Sequence, residues 1–451
     1  MKKLCKRLIP VIVLIPLIAG TAGYLLSGER GSDALYASFA LYFTNPVSDA
    51  YNGGIEFARW TAPLVTATAI LCVLKSVWDR IAWRTAGLVR DSVAVYTDED
   101  MEIRFGRGTR AIYPGERFAG YVKTHIILFS SDQKSLGFFE EHRAQLAGKA
   151  VYIGLRELEM GLMKELEGAA LFDVNSSIAR NFWKKMQLWK QGKKDVSIAI
   201  YGDSLLAQNM LSVGLQLNLF SKEQHITYHI ISKEQHFRAK HSDLLLMNGD
   251  EVLYHGGAGE RMSWEVLEKA DFIIVADLVS AETFQTIAVK TEQGKLYYYS
   301  PVSGDAGDYI AYGMPEAFGE NQEVFTDENI RRQKLVQAAM ALHERYAAKY
   351  HTEREWDRLS GFLKSSNISS ADFHQVLRDL SASVPEEELA ELEHIRWCRF
   401  YSLNYWKQGS PEGGARKDDR RRIHRDLVAY SALSEEEREK DREVVRWAAR
   451  E

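Results

Sequence analysis

Two stretches near the N-terminus show no alternation of apolar and polar positions at all. "LIPVIVLIPLIAGTAGYLL" (8–26) is uncharged, and "TAPLVTATAILCVL" (61–74) is nearly as apolar. The first is just long enough to cross a bilayer core, and the second becomes so when extended to 60–78. Trp60 and Trp78 then fall at the two interfaces, where tryptophan is favoured. Pro10, Pro16 and Pro63 are tolerated in spanning helices. Between the two runs, "SDALYASFALYF" (32–43) has a helical period and Ser32 in the capping position. From residue 91 the pattern changes to short β-branched and aromatic runs parted by helical segments. "SVAVYT" (92–97), "HIILFS" (125–130), "AVYIGL" (150–155) and "AALFDV" (169–174) read as buried strands. After the basic segment 184–195 a second cycle begins, with "VSIAIYG" (196–202), "HITYHII" (225–231), "DFIIVAD" (271–277) and "KLYYYSP" (295–301). Strands alternating with helices predict parallel sheets covered on both faces. Beyond residue 352 the period is helical. Ser369 or Ser370 caps an expected helix, Pro385 starts another ahead of three glutamates, and Ser434 with Glu437 has capping-box spacing.

The expected fold class is therefore α/β. Residues 1–84 form a membrane unit with two transmembrane helices, 91–190 and 195–345 form parallel-sheet units in tandem, and 352–451 form a small, mostly helical domain.

Charge adds an orientation. Lys2, Lys3, Lys6 and Arg7 precede the first span, and Lys75, Arg80, Arg84 and Arg90 follow the second, whereas the intervening loop is acidic on balance. The positive-inside rule then puts both termini and the large domains in the cytoplasm. The alternative is a cleaved signal peptide over residues 1–23, ending in "AGTAG". It still leaves 79–451 on the cytoplasmic side of the second span. A net charge of −5 gives no electrostatic case for nucleic acid as a partner. Cys5, Cys72 and Cys398 are too scattered for a zinc site or a disulfide framework. His225, His229, His236, His241 and His255 are close in sequence, but no acid or cysteine completes a metal-ligand set, and they read as solvated or core histidines.

Candidate chemistry lies in two places. In the second α/β unit, Gly202-Asp203-Ser204-Leu205-Leu206-Ala207 follows a strand and opens a helix, as in the Rossmann dinucleotide fingerprint, with serine in place of the second glycine. Ser232 and Lys233 stand where the ribose-binding acid is expected. Gly202, Asp203, Ser204, Ala207 and Ser232 are thus the candidate cofactor residues, and "SPVSGDAGDY" (300–309) is a candidate border of the same site. The first unit has no such glycines and is expected to bind no dinucleotide in the usual way. Near the C-terminus, "ELEHIRWCRFYSLNYWKQG" sets His394, Trp397 and Tyr401 on one helical stripe, with Arg396 on the stripe beside it and Trp406 beyond the end. Lys417, Arg422 and His424 belong to the basic run that follows, and Asp426 is placed to orient His424 or Arg422. Rings for a base and guanidinium groups for phosphate are the parts of a nucleotide site. The plainer reading makes the rings a small core and the basic run a solvated face.

Two resemblances extend this picture. The two Rossmann-like cycles, closed by "ENIRRQKLVQAAMALHERYAAKY" (329–350) and preceded by a two-helix membrane unit, resemble the RCK (TrkA-N type) regulatory domains of potassium channels and transporters. That resemblance implies an oligomer, a tetramer above all. The loop "TNPVSDAYNGG" holds no TVGYG-like filter, so potassium selectivity is not implied. "LEHIRWCRFYSLNYWKQG", "KDDRRRIHRDLVAYSAL" and "EEEREKDREVV" resemble the RyR repeat first named in ryanodine receptors, over about residues 385–446. It implies a ligand-sensing module, with an NAD-like or cyclic nucleotide as the ligand class. Together they imply a multi-pass protein of the bacterial inner membrane, in contact with lipid. Its cytoplasmic part binds a nucleotide-type molecule and acts through the linker 75–91, expected to be a continuous helix, on the permeability of the membrane in stress or phage defence. It is not read as an enzyme. The alternatives are an NAD-binding oxidoreductase and an anchored oligomeric scaffold without a small ligand.

Overall fold

The computed structural model describes residues 2–86, 89, 91–99, 101, 103–164, 166–257, 261–291, 294–301, 309, 310, 312, 314–331, 333–353 and 355–450. The chain divides into two compact units, residues 1–90 and 91–451.

The first unit contains α1 (Lys2–Leu26), α2 (Gly31–Ala40) and α3 (Gly53–Ala86). Small residues let the helices approach closely. A Cβ on Gly23 would lie 2.9 Å from the Ile55 amide nitrogen, and one on Gly54 would lie 2.8 Å from the Ala19 carbonyl. Tyr24, Ala34, Ile55, Ala58 and Ala62 are buried along this seam. Asn52 joins its ends, donating to the Gly23 carbonyl at 2.6 Å and accepting from the Gly54 and Ile55 amides at 3.0 Å each. Ser32 does not cap α2. Arg30 is the N-cap, and Ser32 lies inside the first turn, its hydroxyl 3.4 Å from Asp33. Among the described residues one helical stretch, Gly53–Lys75, is long and apolar enough to cross a membrane, and the apolar stretch Val13–Leu26 of α1 is shorter. The expected helix over 75–91 is present as far as Ala86; residues 87, 88 and 90 lie outside the described residues.

The second unit opens with β1 (Ser92–Tyr96), β2 (Arg110–Ile112), β3 (Thr124–Ile127), α4 (Asp132–Leu146), β4 (Ala150–Leu155), β5 (Ala170–Asp173) and α5 (Val174–Met186). Its five strands are all parallel, in the order β2-β1-β3-β4-β5. This is the 2-1-3-4-5 order of flavodoxin-type doubly wound sheets. There follow β6 (Asp195–Tyr201), α6 (Leu205–Leu217), β7 (His225–Ile231), α7 (His236–Lys240), β8 (Glu251–His255), α8 (Arg261–Lys269), β9 (Phe272–Val275), α9 (Ala281–Lys290), β10 (Lys295–Tyr299) and β11 (Glu316–Phe318). These six strands, again all parallel, lie in the order β11-β10-β9-β6-β7-β8. Counted from β6 this is the 3-2-1-4-5-6 order of the Rossmann fold. The α/β reading and eight strands stand, and β2, β8 and β11 are additional. Residues 302–308, most of the loop expected to border a ligand, lie outside the described residues.

The rest is helical: α10 (Asn321–Val324), α11 (Asp327–Ile330), α12 (Lys334–Tyr350), α13 (Gly361–Leu380), α14 (Glu386–Leu403) and α15 (Glu435–Ala448). A small sheet of β12 (Lys407–Gln408), β13 (Lys417–Asp418) and β14 (Ile423–His424) crosses between α14 and α15. The expected closing helix over 329–350 is broken ahead of α12. Ser369 and Ser370 cap nothing, because α13 runs unbroken from its N-cap Ser360. Pro385 does precede α14, and the Ser434 hydroxyl accepts from the Glu437 amide. One continuous apolar core joins these parts, from Val95 and Ile126 through Trp183 and Met210 to Phe373 and Leu392.

Candidate functional site

The glycine loop of the second sheet is already liganded by the chain itself. β6 ends at Tyr201, and Gly202 turns with φ of +133°, a conformation that suits glycine. A Cβ there would lie 2.5 Å from the carboxylate of Asp277, just past β9. That carboxylate accepts the Asp203 and Ser204 amides at 2.8 and 3.1 Å. It sits where a pyrophosphate would meet the start of the helix. Ser204 caps α6 by accepting from the Ala207 amide at 3.2 Å. Asp203 takes the His236 amide at 3.1 Å and pairs with the His236 ring. Ser232 is buried and accepts the Gln235 amide at 3.1 Å. The expected cofactor residues are thus engaged within the chain, Asp203 and Ser204 by Asp277, Asp203 by His236, Ser232 by Gln235 and Ala207 by Ser204. In the first sheet a carboxylate also holds backbone amides, but in a loop: buried Asp132, in the first turn of α4, accepts those of Arg156, Glu157 and Leu158, just past β4, at 2.7–2.8 Å.

A different cavity, of about 500 Å³, lies among α12, α13, α14, the small sheet and α15. His394, Arg396, Trp397, Tyr401, Lys417, His424 and Asp426 all line it. α14 brings His394, Trp397 and Tyr401 to one side because residues three and four apart share a helical face. Trp397 packs on Tyr401 with ring centroids 4.3 Å apart, and His424 stands edge-on to both at 5.0 and 5.5 Å. Two expected residues are absent from the wall. Trp406 is buried behind it, stacked on Phe362 at 5.3 Å. Arg422 has a left-handed backbone, φ +51°, that turns its guanidinium away, to the Asn404 carbonyl at 2.6 Å and over the Tyr405 ring. Asp426 therefore orients Arg416, at 2.6 Å, rather than Arg422. It meets His424 through its backbone amide, 3.1 Å from Nδ1.

The cations of the wall are paired. Arg396 is bidentate to buried Glu393 at 2.7 and 2.8 Å, and Ser370 donates to the same carboxylate at 3.0 Å. Arg416 bridges Asp426 and Glu437, Lys440 holds Glu437 at 2.7 Å, and Lys417 holds Asp419 at 2.8 Å. Burial disfavours charge on His394, yet Asp441, at 3.4 Å, and Cys398 outweigh it and raise the imidazole to about 11. Burial raises Asp441 to about 6 against the pull of His394. Near neutral pH the proton sits on the imidazole, facing a carboxylate. Burial lowers His424 to about 4, so it is neutral. Cys398, His394 and Asp441 are in the order of a nucleophilic triad. Cys398 is wholly buried, however, and His394 Nε2 donates to the Val428 carbonyl at 2.9 Å, so the imidazole is no base for the thiol. The result is a charge-balanced, ring-lined cavity. Chemically it suits a flat, hydrogen-bonding heteroaromatic group better than a bare phosphate.

Tyr346, Arg416, Glu437, Lys440, Asp441 and Trp447 also line the cavity, and none of them is among the site residues expected from the sequence. A signal existed for four of them: Glu437, Lys440, Asp441 and Trp447 recur at helical spacing on α15. The clustered histidines do not assemble. His229 and His255 touch at 2.9 Å, His241 stacks on Tyr405 at 5.2 Å, and His225 lies exposed near Glu251. Among the described residues no group of three or more His, Cys, Asp or Glu is placed to hold a metal. No protein-family model matches the chain, and no curated protein matches it.

Proposed function

We propose that the chain is a membrane-bound sensor whose C-terminal cavity takes the base of a nucleotide-type ligand and whose occupancy alters the membrane unit. The observation that carries this reading is the convergence of Trp397, Tyr401, His394, His424 and Asp426 on one cavity of about 500 Å³, within the usual range for small-molecule sites. The RyR-like sequence over the same segment supports it. The phosphates belong near Lys417, whose pair with Asp419 is open to solvent and easily exchanged, since Arg396 and Arg416 are held by more buried carboxylates. Membrane insertion is supported by Gly53–Lys75, where Trp60, Leu64, Ile70, Leu71, Val73 and Leu74 all face outward instead of forming a core. The RCK-like pattern favours a homotetramer, with the large domains on the cytoplasmic face of a bacterial inner membrane and defence or stress as the setting. The Asp277 carboxylate in the glycine loop weighs against an NAD-dependent oxidoreductase.

The full chain in lipid nanodiscs, titrated calorimetrically with ATP, NAD and cyclic dinucleotides, tests the reading. Trp397→Ala is expected to weaken binding by about tenfold, within the range for loss of one stacked ring. Arg422→Ala is expected to leave it unchanged. Absence of binding across the panel leaves an anchored scaffold. Ion flux from liposomes, with and without the ligand found, measures the output.

A further inference from the structure

Helix α14 has two working faces. His394, Trp397 and Tyr401 look into the cavity, Arg399 and Ser402 lie on the other side, and Arg396, which also touches the cavity, stands between the two. Arg399 is wholly buried, and each of its three guanidinium nitrogens donates a hydrogen bond. It donates to the Leu215 carbonyl at 2.7 Å, the Leu246 carbonyl at 2.9 Å, Asn248 at 2.6 Å and the buried carboxylate of Asp250 at 2.7 Å. Asp250 in turn accepts the Ile226 amide at 2.8 Å, at the start of β7. Arg396 reaches the same end of α6 by relay, donating to Ser369 at 2.6 Å, which donates to Gln216 at 2.6 Å. Ser402 accepts the Leu245 amide at 2.9 Å. One helix thus joins the cavity wall to the last turn of α6 and to the segment leading into β8.

A buried ion pair adds little net stability over an apolar pair, and its best-attested use is to fix register. Resting on the ligand-sensing reading above, we propose that Arg399–Asp250, assisted by Arg396–Ser369–Gln216, is the clamp that passes cavity occupancy to the second α/β unit. A ligand that displaces α14 must carry the 245–255 segment with it, because both charges of the clamp are fully buried and no solvent layer absorbs the movement. Coupling between sites of this kind is typically worth fivefold or more in an equilibrium.

The test is amide hydrogen exchange of residues 245–255 in the full chain, in nanodiscs. Two perturbations are applied: ATP as a probe, and Ser366→Phe, which fills the cavity from α13 without any ligand. Either is expected to change exchange over 245–255 by about fivefold or more. The double variant D250L/R399M removes both charges together, so that neither is left buried alone. It is expected to keep ATP affinity and to abolish the distal change. Ser369→Ala, which cuts only the relay, is the second variant if the double one does not fold, and it must reduce the change. No change in the wild-type clamp background with either perturbation, or a change that survives D250L/R399M, overturns the proposal. If Ser366→Phe acts and ATP fails to bind, the clamp stands and the nucleotide reading falls.

Discussion

Asp277 shows how much one side chain decides. Its carboxylate holds two amides at the start of α6 and forbids a side chain on Gly202. Asp277→Ala leaves those amides without their charged acceptor, and a loss of about 1–3 kcal/mol in urea unfolding is expected. Gly202→Ala is expected to destabilise too, since φ of +133° strains any Cβ and the added atom meets the carboxylate. If both variants unfold at the wild-type urea concentration, the loop is not held as described. Arg416 and Arg422 make the complementary point. They stand six residues apart in one basic run, yet the first lines the cavity and the second leaves it. A loop has no period from which to read direction, and the left-handed backbone at Arg422 is set by its pairing with Lys407, whose amide donates to the Arg422 carbonyl at 2.9 Å.

At the level of elements, strands with several consecutive β-branched or aromatic residues are legible, and β7 falls on the residues expected, His225–Ile231. The three-residue strands β2 and β11 are not, since so short a run carries no period of its own and forms only because a neighbouring strand is there to pair with. The stripe His394–Trp397–Tyr401 is legible because α14 is long and regular. α15 hid its contribution, because a run of alternating charge reads as solvated when its partners across the cavity are unknown. The segment "AGTAG" shows the same ambiguity. It fits a cleavage site in sequence, and in the fold it is part of the seam between α1 and α3. Gly23→Leu is therefore expected to force these helices apart and lower the heat-induced aggregation temperature of the detergent-solubilised protein. Ile18→Leu, on the exposed side of α1, serves as the neutral comparison. Equal temperatures for both variants contradict the seam.

Over the whole molecule, the parts drawn separately from the sequence share one core from residue 91 onward, which no local pattern announces. The same burial sets the pH response. His125, His229, His241 and His424 are each lowered by burial to about 4, from an ordinary 6.5. Unfolding between those values takes up protons that the folded chain does not hold, so stability present above pH 6.5 is lost as pH falls toward 4. Asp441, raised by burial to about 6, offsets part of this loss. His394 works at the other end: raised to about 11, its contribution is full below pH 6.5 and fades as pH climbs to 11. A melting temperature that falls from pH 6.5 to 4.5, with proton uptake on unfolding in calorimetry, is the expected result. A flat profile over that interval contradicts the assignment of neutral, buried imidazoles.

Asp277 supplies from within the chain a negative charge at the start of α6. Folds of this shape commonly borrow an anion from metabolism to finish the mouths of their sheets, and their stability then tracks how much of it the cell contains. Here the borrowed piece is encoded. The start of α6 is held by the chain's own charge, and its stability is expected not to follow the concentration of free dinucleotide.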